Sequence, residues 1–549
     1  MVQFAMNLEK KLKQYHNSYQ VLAEIDLDHW YTLKTHQQNP WLEQTLRQHH
    51  RPNFEPDQRL IFTVNEPRFD DVLASLVRLL NRVDITNSFV VLLTAHGNVD
   101  HIKQYVAENS QDPNPIEVDQ FEPQYRYNGS EPVKISLRDL STEQEFLLTE
   151  SKTFCIYPWI HLHAYPTGSA YPCCHAEMNY PIGNVRNNTL KEVWNSDKMK
   201  ELRVGMLTQK PHHACTRCYE QEEAGFFSGR KSANKHHGHH IGRVAETQED
   251  GTVERFEMTY WDIRFSNLCN LRCRSCGHIF SSQWYQDQAK LAGPQWKLHN
   301  SVLNYAGRTE TDMWEQLEPH LDYVEQIYFA GGEPLLMEEH YNILEELLRR
   351  GRTDVRLIYN TNFTHTDLKG KSVFEYWKQF KSVAVGASLD ASGARAEYIR
   401  KGTDWAQVEK NREDMLRICP EVDFYISPTL SIMNALHLPE FHRDWVERGF
   451  IKPQDLNVNI LQDPPHYRID IAPAHYKYEL QAAFEDHLAW LRPRDTLQRA
   501  TVGFESAISF MTATDNSKLL PVFWEKTQQL DSIRNENIID IIPELRSIQ

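Results

Sequence analysis

The sequence predicts an α/β protein built on a parallel sheet, and three observations carry that prediction. From residue 258 onward, strand-like and helix-like segments alternate six times, a pattern that favours a parallel sheet with right-handed crossovers. The motifs with chemical content fall just after the candidate strands, where parallel α/β sheets gather their chemistry. The composition, 40% hydrophobic and 11% aromatic, is that of a folded chain. At 549 residues the chain is too long for one ordinary core, so several domains are expected.

Residues 1–150 read as an accessory α/β module. RLIFTVNE (59–66) and SFVVLLTAH (88–96) have strand character, and DDVLASLVRLLNRV (70–83) between them has helical spacing of apolar residues. The polar, Pro-rich stretch 109–132 reads as a linker or long loop. No catalytic motif stands out here. The first residues, MVQFAMNLEKKLKQY, have no apolar core and read as an amphipathic helix rather than a signal peptide.

Residues 151–250 are rich in cysteine. WIHLHAYPTGSAYPCC reads as a β-hairpin turning at Pro166–Gly168, and 189–206 as a helix with Thr189 as N-cap. From 251 to 465 runs the alternating region. Its strand candidates are 260–267, 324–331, 355–362, 382–390, 423–431 and 455–462, and its helix candidates include 335–351, 405–418 and 439–449. Residues 466–549 read as helical.

The formal charge of −16 speaks against non-specific nucleic-acid binding. No apolar run approaches the length of a membrane span, so a cytoplasmic protein is expected. Eight of the nine cysteines are grouped, and in that compartment they read as metal ligands before disulfides.

The sharpest motif is SNLCNLRCRSCGH (266–278), which places Cys269, Cys273 and Cys276 on one loop after the first strand of the repeat. Thiolates select zinc or iron–sulfur clusters. A structural zinc site closes with four protein ligands, and an all-cysteine cubane also takes four. Three thiolates would leave one iron of a [4Fe–4S] cluster open to a substrate or cofactor. A Cys3His zinc site completed by His278 is the competing reading. The second motif, YFAGGEPLL (328–336), ends the next strand. Its adjacent glycines permit close backbone approach to a ligand, and Glu333 supplies a carboxylate suited to an ammonium.

On these motifs, residues 258–465 resemble the radical S-adenosylmethionine (SAM) enzymes, a family with a partial (βα)6 barrel of TIM-like strands. The resemblance implies that Cys269, Cys273 and Cys276 hold a [4Fe–4S] cluster that binds SAM. It implies that SAM is cleaved reductively to a 5′-deoxyadenosyl radical, which takes hydrogen from a substrate. It places Gly331, Gly332 and Glu333 at the methionyl amino group. In VGASLDASGARAEYIRKG (385–402) it places Ser388 and Asp390 near the ribose or methionyl end and Arg400 on the carboxylate, with Asn362 a further candidate. The sequence departs from the family at Ser275, where an aromatic residue often packs on adenine; Ile279 or Phe280 would have to replace it.

Upstream, Cys155, Gly168 and Cys173 give C-x12-G-x4-C, and Cys215 and Cys218 give C-x2-C. Four such thiolates can hold zinc or iron–sulfur, and spacing does not decide between them. The segment resembles the twitch domain, the short relative of SPASM domains, which carries an auxiliary [4Fe–4S] cluster. In the family that domain usually follows the barrel; here it precedes it. Cys174, beside Cys173, remains an alternative ligand.

The resemblance implies an oxidoreductase or modifying enzyme with an electron donor such as flavodoxin or ferredoxin. The expected substrate is a peptide, with the N-terminal module holding a leader or carrier; a small molecule is the alternative. A zinc-stapled binding protein is the non-enzymatic alternative. KHHGHH (235–240) reads as a solvated linker, and Cys419 as a small apolar core residue.

Overall fold

The computed structural model describes residues 140–223, 227–309 and 311–549, with shorter stretches before residue 140. The chain divides into two compact units. One comprises Met1–Tyr127 and Glu131–Ser141, the other Asn128–Ser130 and Thr142–Gln549.

The first unit contains a five-stranded sheet of β1 (Met6–Asn7), β2 (Gln20–Asp26), β3 (Gln58–Val64), β4 (Val90–Thr94) and β5 (Glu117–Glu122), in the order β1-β5-β4-β3-β2. Every neighbouring pair is parallel. Ile61, Phe62 and Leu92 are buried on its strands. Two expectations are corrected. Met6–Asn7 pairs with Phe121–Glu122 as a strand instead of opening a helix, and β5 lies inside the stretch read as a linker. Glu117, Val118, Asp119 and Gln120 alternate in polarity weakly, so the stretch had no strand signature to outweigh its prolines. Of the expected helix 70–83, only Leu76 falls among the described residues; it is helical and buried.

The second unit contains β6 (His161–Ala164), β7 (Ser169–Tyr171), β8 (Gly183–Asn184), β9 (Tyr260–Ile263), β10 (Arg272–Cys273), β11 (Gln326–Phe329), β12 (Arg356–Thr361), β13 (Asp367–Leu368), β14 (Lys371–Ser372), β15 (Val383–Ala387), β16 (Arg400–Lys401), β17 (Asp423–Ile426), β18 (Thr429–Leu430) and β19 (Asn459–Ile460). Its main sheet has eight strands in the order β17-β15-β12-β11-β9-β6-β7-β8. From β9 to β17 the strands are parallel and follow chain order. Helices Glu338–Arg349 and Trp405–Ile418 connect successive strands. β15, Val-Ala-Val-Gly-Ala, is buried along its whole length, as a strand covered on both faces must be. β12 alternates: Leu357, Tyr359 and Thr361 are buried, while Ile358 and Asn360 are half-buried on the opposite face.

Each expected strand of the alternating region is found, generally shorter than its apolar run. The last candidate, 455–462, is reduced to β19, which pairs in parallel with β18. The expected hairpin forms between β6 and β7, with Gly168 at φ 85° in its turn. β6 also pairs in parallel with β9, His161 to Tyr260 through Ala164 to Ile263, so the cysteine-rich segment extends the main sheet. The single helix expected over 189–206 is two, Leu190–Trp194 and Asp197–Leu207. Thr189 caps the first with a capping box, and Ser196 caps the second and interrupts the run. The C-terminal segment is helical as expected, through Ala474–Leu491, Arg499–Ala513 and Leu520–Arg534.

Candidate active site

The loop after β9 carries Cys269, Cys273 and Cys276, all free thiols, as are all nine cysteines. Cys269 is 8% exposed. Burial pushes all three thiols up, Cys276 to about 12. Such thiols lose their protons to a metal in exchange rather than to water. Among the described residues, the thiols of this loop are not among the groups of three donor atoms lying within 4.8 Å of one another. The His278 ring packs edge-on against Trp296, 4.6 Å between centroids.

The loop is built from both sides. Gly332, after β11, lies so close to it that a Cβ would stand 2.1 Å from the Leu268 carbonyl oxygen. The Glu333 N–H donates to that same oxygen at 2.7 Å, and Gly331 sits at φ 125°. These glycines bring two backbones together. The Glu333 carboxylate is 1% exposed and accepts from Thr361 Oγ1 at 2.6 Å, the Asn362 N–H at 2.7 Å and the Leu335 N–H at 3.2 Å. Burial holds its carboxyl up at about 7. Asn362 donates to Asn270 Oδ1 at 2.8 Å, with its amide nitrogen 3.9 Å from the Cys269 sulfur. Thus Glu333 and Asn362 sit at the cysteine loop, and their bonds tie the ends of β11 and β12 to it.

Cys273 lies on β10, opposite Arg400 on β16. Arg400 donates Nε and Nη2 to the two oxygens of Asp390, at 2.8 and 2.9 Å, and its Nη1 stands 3.7 Å from the Cys273 sulfur. Asp390 also accepts from the Thr429 N–H at 2.8 Å. Ser388 is set apart from these two. It lines a cavity of about 400 Å³ with Tyr328, Asn360, Tyr425, Ser427, Thr429, Asn457 and Asn459. Hydroxyls and amides line it without a charged side chain.

A set of residues missed in the sequence holds the loop from outside. Arg274 pairs with Asp531 and with Glu536, the latter at 2.8 Å, and stacks on the Tyr398 ring. Arg272 pairs with Asp287 at 2.9 Å, and Arg534 joins the same carboxylate at 2.9 Å and donates to the Arg272 carbonyl. The arginines alternating with the cysteines were a visible signal; Asp531, Arg534 and Glu536, brought to them from the C-terminal segment, were not. Ile279 is 40% exposed, and Phe280 packs edge-on against Tyr165.

The upstream cysteines converge. Cys155 lies within electrostatic reach of Cys215 and Cys218, and Cys173 within reach of Cys155, Cys215 and Cys218. Cys174 lies beside Cys173 and is within reach of Cys218 as well as of Asp262 and Arg264; those last two form a buried group with His163, His163 Nδ1 to Asp262 at 2.9 Å and Arg264 Nε to Asp262 at 3.0 Å. Cys419 is 3% exposed. Among the described residues no helix is long and apolar enough to cross a membrane.

Residues 155–219 match the family model of SPASM, an iron-sulfur cluster-binding domain. The cysteine-rich segment ahead of the parallel sheet is thus similar to SPASM domains, the larger relatives of the twitch domain it resembles in sequence. No curated protein matches the chain in sequence. Several solved structures overlap parts of it, three of them as follows. Native anSMEcpe with bound AdoMet and Cp18Cys peptide is 19% identical at TM-score 0.27, covering 41% of this chain and 56% of its own. Native anSMEcpe with bound AdoMet is 21% identical at TM-score 0.28, over 40% and 58%. TYW1 with a lysine-pyruvate adduct bound is 14% identical at TM-score 0.21, over 43% and 70%. The chain thus spans a little over half the length of the first two. Overlaps of this depth decide neither fold nor activity.

Proposed function

We propose that the chain is a radical SAM enzyme, with the parallel strands β9 to β17 and the β18–β19 pair forming its partial (βα)6 barrel. The observation that carries this reading is the stacking of Gly332 on Leu268, which makes the GGEP turn and the three-cysteine loop one structure. Cys269, Cys273 and Cys276 would hold a [4Fe–4S] cluster, and Cys155, Cys173, Cys215 and Cys218 an auxiliary one. When bound, the first cluster and SAM supply reductive cleavage to a 5′-deoxyadenosyl radical that takes hydrogen from substrate.

The chain's own residues contribute position and charge. Asp390 fixes the Arg400 guanidinium beside the Cys273 sulfur, where positive charge favours thiolate. Glu333 and Asn362 hold the loop against the ends of β11 and β12. The neutral polar cavity at the strand ends suits an uncharged hydrogen-bonding portion of a substrate. We take that substrate to be a peptide, the separate first unit serving to hold a leader or carrier, with flavodoxin or ferredoxin as electron donor. The small-molecule reading is favoured only by the cavity's size, which suits a compact polyol or amide.

The test is iron and sulfide content under anaerobic conditions, with SAM and dithionite added. About eight irons per chain, and 5′-deoxyadenosine formed by wild type but not by the Cys269→Ala, Cys273→Ala, Cys276→Ala triple variant, support the proposal. Zinc without iron after reconstitution overturns it.

A further inference from the structure

The histidine tract His236–His240 is folded, not a solvated linker as the sequence suggested. It closes the helix Gly229–His237 and opens the 3-10 helix Gly238–Glu246. Stacking of the buried His237 on Tyr260 at 5.4 Å fixes the turn between them. Two histidines then converge on one carboxylate. His239 Nε2 lies 2.8 Å and His240 Nε2 3.0 Å from Glu325 Oε2. The three donor atoms lie within 4.8 Å of one another, the only such trio of potential metal donors among the described residues.

Both sides of this trio are rigid. Glu325 enters β11, where its N–H donates to the Thr259 carbonyl and its own carbonyl accepts from the Arg356 N–H, each at 2.8 Å. The imidazoles are held ring to ring, 4.0 Å between centroids. The nearby cation Arg243 is committed to Glu257, through the carbonyl at 2.7 Å and the carboxylate at 3.2 Å. Side-chain exposures of 24%, 10% and 41% for His239, His240 and Glu325 leave a path for an ion from solvent. Two imidazoles and a carboxylate are a donor set for borderline divalent ions, with water completing the shell.

We propose that His239, His240 and Glu325 form a zinc-class divalent cation site that clamps the connector between the cysteine-rich segment and the main sheet. The site lies at the N-terminal end of β11, whereas the cysteine loop follows the C-terminal end of β9. Its role is therefore structural and does not depend on the radical chemistry proposed above.

The test uses full-length protein with its cysteines occupied by reconstituted clusters, titrated with Zn2+ by calorimetry and with Co2+ by absorption. Wild type should take about one Zn2+ per chain. The Co2+ form should show d–d bands without sulfur-to-cobalt charge transfer, and Zn2+ should raise the melting temperature. The His239→Ala, His240→Ala double variant should lose the binding and the thermal shift while keeping its iron. Glu325→Gln retains a hydrogen-bond acceptor for the imidazoles and guards against a folding failure; it should bind more weakly than wild type. Equal Zn2+ affinity in wild type and variants, sulfur-to-cobalt charge transfer in wild type, or no binding by wild type would each overturn the proposal.

Discussion

Asp390 holds Arg400 by both of its oxygens, at 2.8 and 2.9 Å, and so aims the third guanidinium nitrogen at the Cys273 sulfur. A planar fork matched to a carboxylate fixes direction as well as distance. Asp390→Asn should therefore loosen Arg400 and weaken retention of the metal centre or its activity by about 10–100-fold. Arg400→Lys should do no better, since an ammonium cannot reach both partners with the same geometry. Iron content and the rate of 5′-deoxyadenosine formation measure both effects.

Gly332→Ala should be severe. Its Cβ would stand 2.1 Å from the Leu268 carbonyl oxygen and 2.8 Å from the Asn267 carbonyl carbon, both backbone atoms that cannot rotate away. A loss of at least about 3 kcal/mol is expected. Gly242→Ala, where a Cβ meets nothing within 4 Å, is the matched control and should be near neutral. Thermal unfolding of the two variants side by side decides the matter.

Glu333 predicts a pH dependence of stability. Burial raises its folded carboxyl from 4.5 to about 7. Between those values the folded state keeps a proton that the unfolded state has released. Its contribution is therefore full below about pH 4.5 and is lost as pH rises to about 7, an effect of about 3 kcal/mol at most. Urea midpoints on either side of that window should fall with pH more steeply in wild type than in Glu333→Gln, where the group no longer titrates.

The two adjacent cysteines should separate cleanly. Cys155, Cys215 and Cys218 all act on Cys173, whereas Asp262 and Arg264 act on Cys174 more strongly than Cys218 does. Cys173→Ala should lower iron from about eight to about four per chain, and Cys174→Ala should leave it unchanged. The reverse result would make Cys174 the ligand. Cys419→Ala, remote from both sites, should keep its iron and lose only packing.

Much of the main sheet was legible because its signals are local. Val-Ala-Val-Gly-Ala and Arg-Leu-Ile-Tyr-Asn-Thr declare strands through their own apolar content and period, and the cysteine and glycine loops declare themselves through spacing. What stayed hidden depends on partners distant in the chain. The acidic partners of Arg274, Asp531 and Glu536, lie in the C-terminal segment and only the fold brings them to it. The histidine tract reads as a linker until Glu325 anchors it. β1 and β5 carry little strand signal of their own; β5 is held by β4 and β1 by β5. The GGEP turn was legible in the sequence, but the three internal hydrogen bonds of Glu333 were not, because each donor comes from local backbone or from β12 and the residue following it.

The parallel pairing of β6 with β9 has a consequence during synthesis. β6 leaves the ribosome about a hundred residues ahead of β9, already hydrogen-bonded to β7 through its other edge. The first strand of the long parallel run therefore emerges after the partner for one of its edges, and only its other edge waits for β11. A cysteine-rich segment placed after the parallel run could not supply that partner in advance; placed before it, the segment has β6 waiting when the run begins.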